Sequence, residues 1–403
     1  MSINLPRITF YEFQFGDNQE YLGGSGIELI GLANYLRAQE ERASIRFVPC
    51  PPSQVRTQSR WQKLKAFISH QWRDFHNLLA ADEEILFFFY PKIPFTGHSM
   101  TIKALLFAGL GYGLLALKKR VTGQRVAILI LDLPLEQKLM AQPALSRQPL
   151  NRELARFYHL QHLTWTDRVL TYIERLLFKQ ADVVVSLSRL MTQHLVEKHG
   201  LSSSKICPRG RNFYLPSYVN APQEVVLADR EGLRIFYSGD LVRPTTVDNL
   251  KQIIQVFQDF PSSHFYLCGR QGEWLEAEAQ AHGLDNVYYL GVLDYATHDT
   301  VARQCDVGLL LYTFAYAHLV PTSKYSAYVA NGLAILSTDM VTLSEIIEED
   351  QVGIAVPIQE FSTQLEQWLR FPEQVEPYKE RAKQLSQNFG QGSYMQEWFD
   401  KII

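Results

Sequence analysis

From Leu233 onward, short apolar runs that stop at a glycine alternate with stretches whose apolar residues recur every three or four positions. That order leaves few folds open. Residues 233–238 (LRIFYS) read as a buried strand ending at Gly239, and Val247, Leu250, Ile253, Ile254 and Phe257 mark one face of a helix over 247–260. The spacing then predicts a strand over 264–268 that stops at Gly269, a helix over 274–282, a strand over 287–290, a helix over 297–305 and a strand over 307–311. A helix over 323–330 closes at Asn331-Gly332, where glycine supplies a left-handed cap. A strand over 334–337 and a helix over 343–348 follow. Strands and helices alternating at these lengths specify a parallel sheet covered on both faces.

The first half repeats the alternation less regularly. Residues 8–13 are an expected strand, 26–38 an amphipathic helix, and 45–48 and 85–90 (ILFFFY) further strands. The runs 125–131 (RVAILIL) and 182–187 (DVVVSL) have the continuous apolar character of strands inside a parallel sheet. A chain of 403 residues exceeds one comfortable core, and Pro208, Pro216 and Pro222 punctuate an aperiodic stretch between the two series. The expected organisation is α/β throughout: a doubly wound, Rossmann-like domain over 1–215, a second over 225–375, and helices over 376–403 that cross back to the first. Ligands of such sheets bind beyond the carboxyl ends of the strands, so two domains facing each other would enclose a cleft.

The net charge of −3 gives no backbone-tracking stripe for nucleic acid. Residues 51–125 nevertheless carry eleven Lys/Arg against four Asp/Glu. There Arg56, Arg60, Lys63, Lys65 and Arg73 interleave with Trp61, Phe67 and Trp72, which suits either an anionic membrane surface or a solvated helix face above core aromatics. The apolar run 104–117 falls short of the ~20 residues that span a bilayer and is expected as a buried or interfacial helix. With no apolar leader, the expected location is cytoplasmic, peripheral at the inner face of the membrane. Cys50, Cys207, Cys268 and Cys305 form no CxxC pair and are expected as reduced, buried thiols.

Three strand ends of the second half carry small residues or cations: Gly239 with Arg243, Gly269 with Arg270, and Tyr312 with the segment to Ser323-Lys324. Backbone N–H groups, a helix N-terminus and fixed positive charge on one sheet edge would meet a diphosphate there. Taken singly, Gly239 and Gly269 are also ordinary turn residues. Gly109-Leu110-Gly111-Tyr112-Gly113 is not read as a dinucleotide loop, because it lies inside an apolar helical run. His159 with His162 and His194 with His199 lack the partners of a zinc site, and no metal or other cofactor is expected.

Residues 321–335 (PTSKYSAYVANGLAI) resemble the donor-site helix of the GT-B glycosyltransferases, with Lys324, Tyr328, Ala330 and Gly332 in register. The resemblance runs from Ser238-Gly239 and Arg243, through Leu290-Gly291 and 307–312 (VGLLLY), to Ser344-Glu345-Ile346-Ile347 and Val352-Gly353. It implies two GT-B domains and a nucleotide-sugar donor held mainly by the second. Lys324 and Arg243 would contact the diphosphate, with Gly239, Gly269, Arg270, Tyr312 and Ser323 around it. Gly23-Gly24-Ser25-Gly26 resembles the glycine-rich loop that such enzymes turn toward the donor, which assigns Gly24 and Ser25 to donor binding as well. Two departures stand: Ala327 replaces the family's usual glutamate and Ala334 its usual proline.

The layout from Asp132 through Tyr172-Ile173-Glu174-Arg175 and Asp182-Val183-Val184 to Ser188-Arg189-Leu190-Met191 also looks like the membrane-associated glucuronosyltransferase of xanthan assembly, an inverting enzyme. Asp132, directly after RVAILIL at a strand end, is accordingly the candidate base that takes the acceptor proton. Its other reading is a turn or helix-cap residue. Glu12 and Asp17 are further candidates. The resemblance thus implies a metal-independent hexosyl- or glucuronosyltransferase that moves a sugar from a UDP- or GDP-sugar to a hydroxyl of a glycan or lipid-linked saccharide in polysaccharide biosynthesis. Ala327 keeps a different reading open, a catalytically silent glycosyltransferase-like subunit that binds and stabilises a partner enzyme. A nucleotide-sugar 2-epimerase of similar architecture is a third.

Overall fold

A computed structural model describes residues 6–13, 32, 35–39, 41–50, 61, 68–69, 72, 75–90, 102–133, 135–137, 164–211, 214, 221–228, 231–241, 244–390 and 393–403. The described residues divide into two compact units. One comprises those up to 137 together with 164–209 and 395–403, and the other those from 210 to 394.

In the first unit six parallel strands, β1 (Arg7–Phe13), β2 (Ser44–Cys50), β3 (Ile85–Tyr90), β4 (Arg125–Ile130), β5 (Val183–Ser186) and β6 (Ile206–Pro208), lie in the order β2-β1-β3-β4-β5-β6. The expected strands form, and β6 is an addition too short for periodicity to reveal. β4 pairs along its length with β3, from Ile85↔Arg125 to Tyr90↔Ile130, and Val126–Ile130 are buried. Their unbroken apolar character is what a strand covered on both faces requires. Helices α1 (Ile102–Thr122), α2 (Trp165–Gln180) and α3 (Arg189–His199) connect β3 to β6 in succession. A reciprocal capping box between Thr164 and Asp167 starts α2. Ser188 caps α3, which ends at left-handed Gly200. The apolar run expected as a helix is the body of α1, with Tyr112 and Leu115 buried and Leu110, Leu117 and Val121 exposed. Gly109 and Gly113 sit inside that helix, as read from the sequence.

The second unit holds β7 (Arg234–Asp240), β8 (His264–Arg270), β9 (Val287–Tyr289), β10 (Val307–Leu310), β11 (Ala334–Thr338) and β12 (Gly353–Val356), all parallel in the order β12-β11-β10-β7-β8-β9. Read from β9, this is the doubly wound 3-2-1-4-5-6 order, whose switch point falls between β7 and β10. The covering helices are α4 (Pro244–Val256), α5 (Trp274–Ala281), α6 (Tyr295–Ala302), α7 (Ser323–Ala330), α8 (Val341–Asp350), α9 (Phe361–Arg370) and α10 (Glu376–Gly390). Ile235, Leu250, Ile254, Phe265, Leu309, Leu336 and Trp368 belong to one continuous core. Cys207, Cys268 and Cys305 are free, buried thiols.

The segment 376–403 divides between the units. On α10, buried Lys379 pairs with Asp306 at 2.6 Å, and Asp306 in turn accepts from the Arg234 backbone N–H at 2.8 Å. A buried carboxylate needs such a cation, and this one fixes α10 to the second unit. On α11 (Ser393–Ile402), Trp398 stacks on Phe87 at 6.2 Å and Phe399 meets Tyr35 edge-on, so residues from 395 group with the first unit.

Candidate functional site

Beside the switch point of the second unit, β7 and β8 end side by side with Gly239 opposite Gly269. A side chain at Gly269 has no room, and one at Gly239 would have to displace Lys324. A Cβ at Gly269 would lie 1.8 Å from the Gly239 carbonyl oxygen, and Gly269 has φ 149°, so both space and backbone demand glycine. A Cβ at Gly239 would meet the Lys324 ammonium at 2.2 Å. Two bare strand ends thus expose backbone on the edge where doubly wound sheets take ligands.

Lys324 lies over this floor because α7 packs unusually close to the sheet. Tyr328, one turn further along α7, accepts a hydrogen bond from the Ser238 N–H at 2.9 Å. Its ring occupies the space that a Cβ on Gly308 of β10 would fill, 2.4 Å from Tyr328 Cδ2. Thr322 caps the helix by accepting from the Lys324 N–H at 3.2 Å, and the same hydroxyl bonds the Tyr312 phenol. The half-buried ammonium then stands 4.9 Å from the Tyr237 ring centroid and 5.5 Å from that of Tyr312. Both rings present their electron-rich faces to it. Burial pushes the neighbouring Cys268 thiol up to about 12, so it stays neutral beside the lysine.

Four of the candidates, Gly239, Gly269, Tyr312 and Lys324, are therefore brought together, with Ser323 on the first turn of α7. Arg270 is the exposed last residue of β8. It faces Tyr295, whose phenol burial drives up to about 12 against the pull of the arginine. Gly24, Ser25 and Arg243 lie outside the described residues. Ala327 is buried, leaving a methyl group where the family usually carries a carboxylate, and Ser326 is fully buried too. Tyr237, Gly308 and Thr322 were not singled out in the sequence. The signal was present for Tyr237 alone, which precedes Gly239 by two residues and so shares its strand face.

In the first unit, Asp132 is half-buried just beyond the carboxyl end of β4, flanked by the buried Leu131 and Leu133. Shortly after it, fully buried Glu136 accepts from Lys198 at 2.6 Å and meets His194 Nε2 at 2.8 Å. Lys198 also reaches buried Glu174 at 2.8 Å, and the Tyr90 phenol donates to the same carboxylate. Burial works against the Glu136 charge, yet Lys198 and His194 hold its carboxyl well below the usual range. Glu174, less well compensated, is raised by burial. His194, Lys198 and Glu174 thereby clamp the segment that follows Asp132.

No protein-family model matches the chain, and no curated protein matches its sequence. Solved structures do match, over nearly the whole length. WaaG, a glycosyltransferase involved in lipopolysaccharide biosynthesis, aligns with a TM-score of 0.57 at 13% identity, covering 99% of both chains. Sucrose-phosphate synthase from Thermosynechococcus elongatus gives 0.59 at 12% with the same coverage. HepE of Anabaena in complex with UDP gives 0.55 at 12%, again over 99% of each. These likenesses, with the two six-stranded parallel sheets, show that the chain has the GT-B fold of two Rossmann-like domains.

Proposed function

We propose that this chain transfers a sugar from a nucleotide-sugar donor to a hydroxyl group, with the donor diphosphate on the carboxyl edge of β7 and β8. The observation that carries the proposal is the Lys324 ammonium poised above the side-chain-free pair Gly239 and Gly269. As the glycosidic bond breaks, negative charge grows on the leaving nucleotide, and a preorganised cation stabilises that charge without a metal. Arg270 and the start of α7 at Ser323 supply further positive potential, Tyr312 packs beside the lysine, and the resemblance adds Arg243, Gly24 and Ser25 to the donor-binding residues. Asp132 takes the proton of the acceptor hydroxyl. The likeness to HepE, solved with UDP and with UDP and glucose, supports a UDP-sugar over a GDP-sugar.

The acceptor proposed is a glycan or a lipid-linked saccharide in polysaccharide biosynthesis, reached at the cytoplasmic face of a membrane. Likeness to WaaG supports this, as does the exposure of Trp61 and Trp72 in the basic segment 51–125. Arg56, Arg60, Lys63, Lys65, Phe67 and Arg73 of that segment lie outside the described residues. No helix among the described residues is long and apolar enough to cross a membrane.

The decisive measurement is a thermal-shift screen across UDP- and GDP-sugars, followed by calorimetric titration of Lys324→Ala. One donor is expected to stabilise the chain, and the variant to bind it about 10- to 100-fold more weakly, the range for a lost charge-assisted contact. Failure of every nucleotide sugar to bind would sink the proposal. The buried methyl of Ala327 favours a second reading, a silent subunit that stabilises a partner enzyme. Asp132→Asn separates the two. A transferase loses turnover at unchanged donor affinity, whereas a silent subunit shows no turnover to lose.

A further inference from the structure

The outer faces of α1 and α2 have a composition of their own. The exposed residues of α2 are Trp165, Arg168, Tyr172, Arg175 and Lys179, which at 100° per residue fall within about 80° of arc. Trp165 is 66% exposed and Tyr172 62%. Both carboxylates of the helix turn inward: Asp167 completes the capping box, and Glu174 holds Lys198 and Tyr90. On α1 the exposed Leu110, Gly113, Leu117, Arg120 and Val121 form a similar stripe, and the helix has no Asp or Glu. Lys118 is drawn inward onto the carbonyls of Leu78, Leu79 and Ala81.

These stripes share one surface. Right-handed crossovers from β3 through β4 to β5 place the two connecting helices on the same face of the sheet. Near the C-terminal ends of both, Lys119 bonds Gln180 O at 2.7 Å and Asp182 at 2.6 Å, so the helices run side by side in the same direction.

Two properties of this surface are unexplained by the fold. Arg120, Arg168, Arg175 and Lys179 make no salt bridge among the described residues, whereas exposed cations elsewhere pair, Lys251 with Glu278 and Lys383 with Glu380. Beside them Leu110, Leu117, Val121, Trp165 and Tyr172 leave large apolar surface in water. An apolar stripe among cations without salt-bridge partners is complemented by an apolar phase bounded by anions. A second copy of the chain would bring like charges together.

We propose that the outer faces of α1 and α2 dock on an anionic phospholipid bilayer. Trp165, Tyr172 and the aliphatic side chains of α1 enter the boundary between headgroups and acyl chains, while the four cations bind lipid phosphates. α2 lies wholly outside the basic segment 51–125, so the docking surface extends the peripheral reading to residues that net charge along the sequence did not mark. It does not depend on the donor chemistry.

The test is co-sedimentation of the full chain with phosphatidylcholine vesicles, with and without phosphatidylglycerol. The chain is expected to pellet with the anionic vesicles only, and less so as salt rises. Arg168→Ser/Arg175→Ser/Lys179→Ser should weaken binding about a hundredfold, near fivefold per cation. Trp165→Ser/Tyr172→Ser should weaken it at least tenfold with little change in salt dependence. Thermal melting and donor-induced thermal shifts, measured on the same samples, should match the parent chain, which keeps this result separate from the donor-site reading. Equal binding to neutral vesicles, undiminished binding by both variants, or binding to poly-U RNA with no binding to vesicles would each overturn the proposal.

Discussion

At Gly239 a single added methyl group would meet the Lys324 ammonium at 2.2 Å. The obstacle is the far end of a flexible side chain, so Gly239→Ala is expected to fold normally while displacing the ammonium from between Tyr237 and Tyr312. Donor titration should show at least tenfold weaker binding. Gly269→Ala is a different kind of change, because its methyl group would strike the backbone carbonyl of Gly239 and its φ of 149° disfavours a side chain. It should cost about 1–3 kcal/mol or more in urea unfolding. His199 makes a third residue-scale test. Its ring is fully buried, its nitrogens have no hydrogen-bond partner among the described residues, and Glu174 stands 3.6 Å away. Burial, reinforced by the Lys198 charge, lowers its pKa to about 3. The unfolded chain takes up that proton below its ordinary value near 6.5, while the folded chain refuses it until about 3. Stability contributed by neutral His199 is therefore present above pH 6.5 and lost progressively as pH falls to about 3, by up to about 1.4 kcal/mol per pH unit. His199→Phe, whose ring suits the edge-on contact with Phe178, should flatten the pH dependence of urea unfolding by about one proton over that range.

At the scale of elements, the site depends on how closely helices approach strands. The expectation of a helix over 323–330 with a glycine cap is met, Gly332 having φ 79°. Its closeness to the sheet was not legible, because it depends on Gly308 making room for Tyr328 from a strand fifteen residues upstream of Ser323. The ionic cluster Glu136–Lys198–Glu174 was equally hidden. Those residues come from three separate segments, and periodicity marks helical faces without revealing which charges meet across them. Lys198 outweighs its own burial through the two carboxylates and is held firmly charged. Lys198→Met would leave two buried carboxylates facing each other and should cost about 3–5 kcal/mol in chemical denaturation at neutral pH.

At the scale of the molecule, the chain forms two compact units, and the last helix from residue 395 belongs to the first. Trp398, Phe399 and Ile402 are buried, with Trp398 against Phe87. Trp398→Ala should cost about 3–5 kcal/mol. Calorimetry should register it as a lowered transition of the first unit, with the second unit's transition unmoved.

Alternation of apolar runs with helical periodicity was sufficient for the sequence to determine two parallel α/β sheets, because strand and helix each impose a local repeat that any sequence must write along itself. The strand ends where ligand should bind were marked too, since glycine is required wherever a chain must bring its backbone close. The tertiary structure alone decided which of those ends meet: Gly239 beside Gly269, with Lys324 above both. It also turned the carboxylates of α2 inward and its arginines outward. Such choices rest on contacts between residues far apart in the chain, where distance in sequence carries no trace of distance in space.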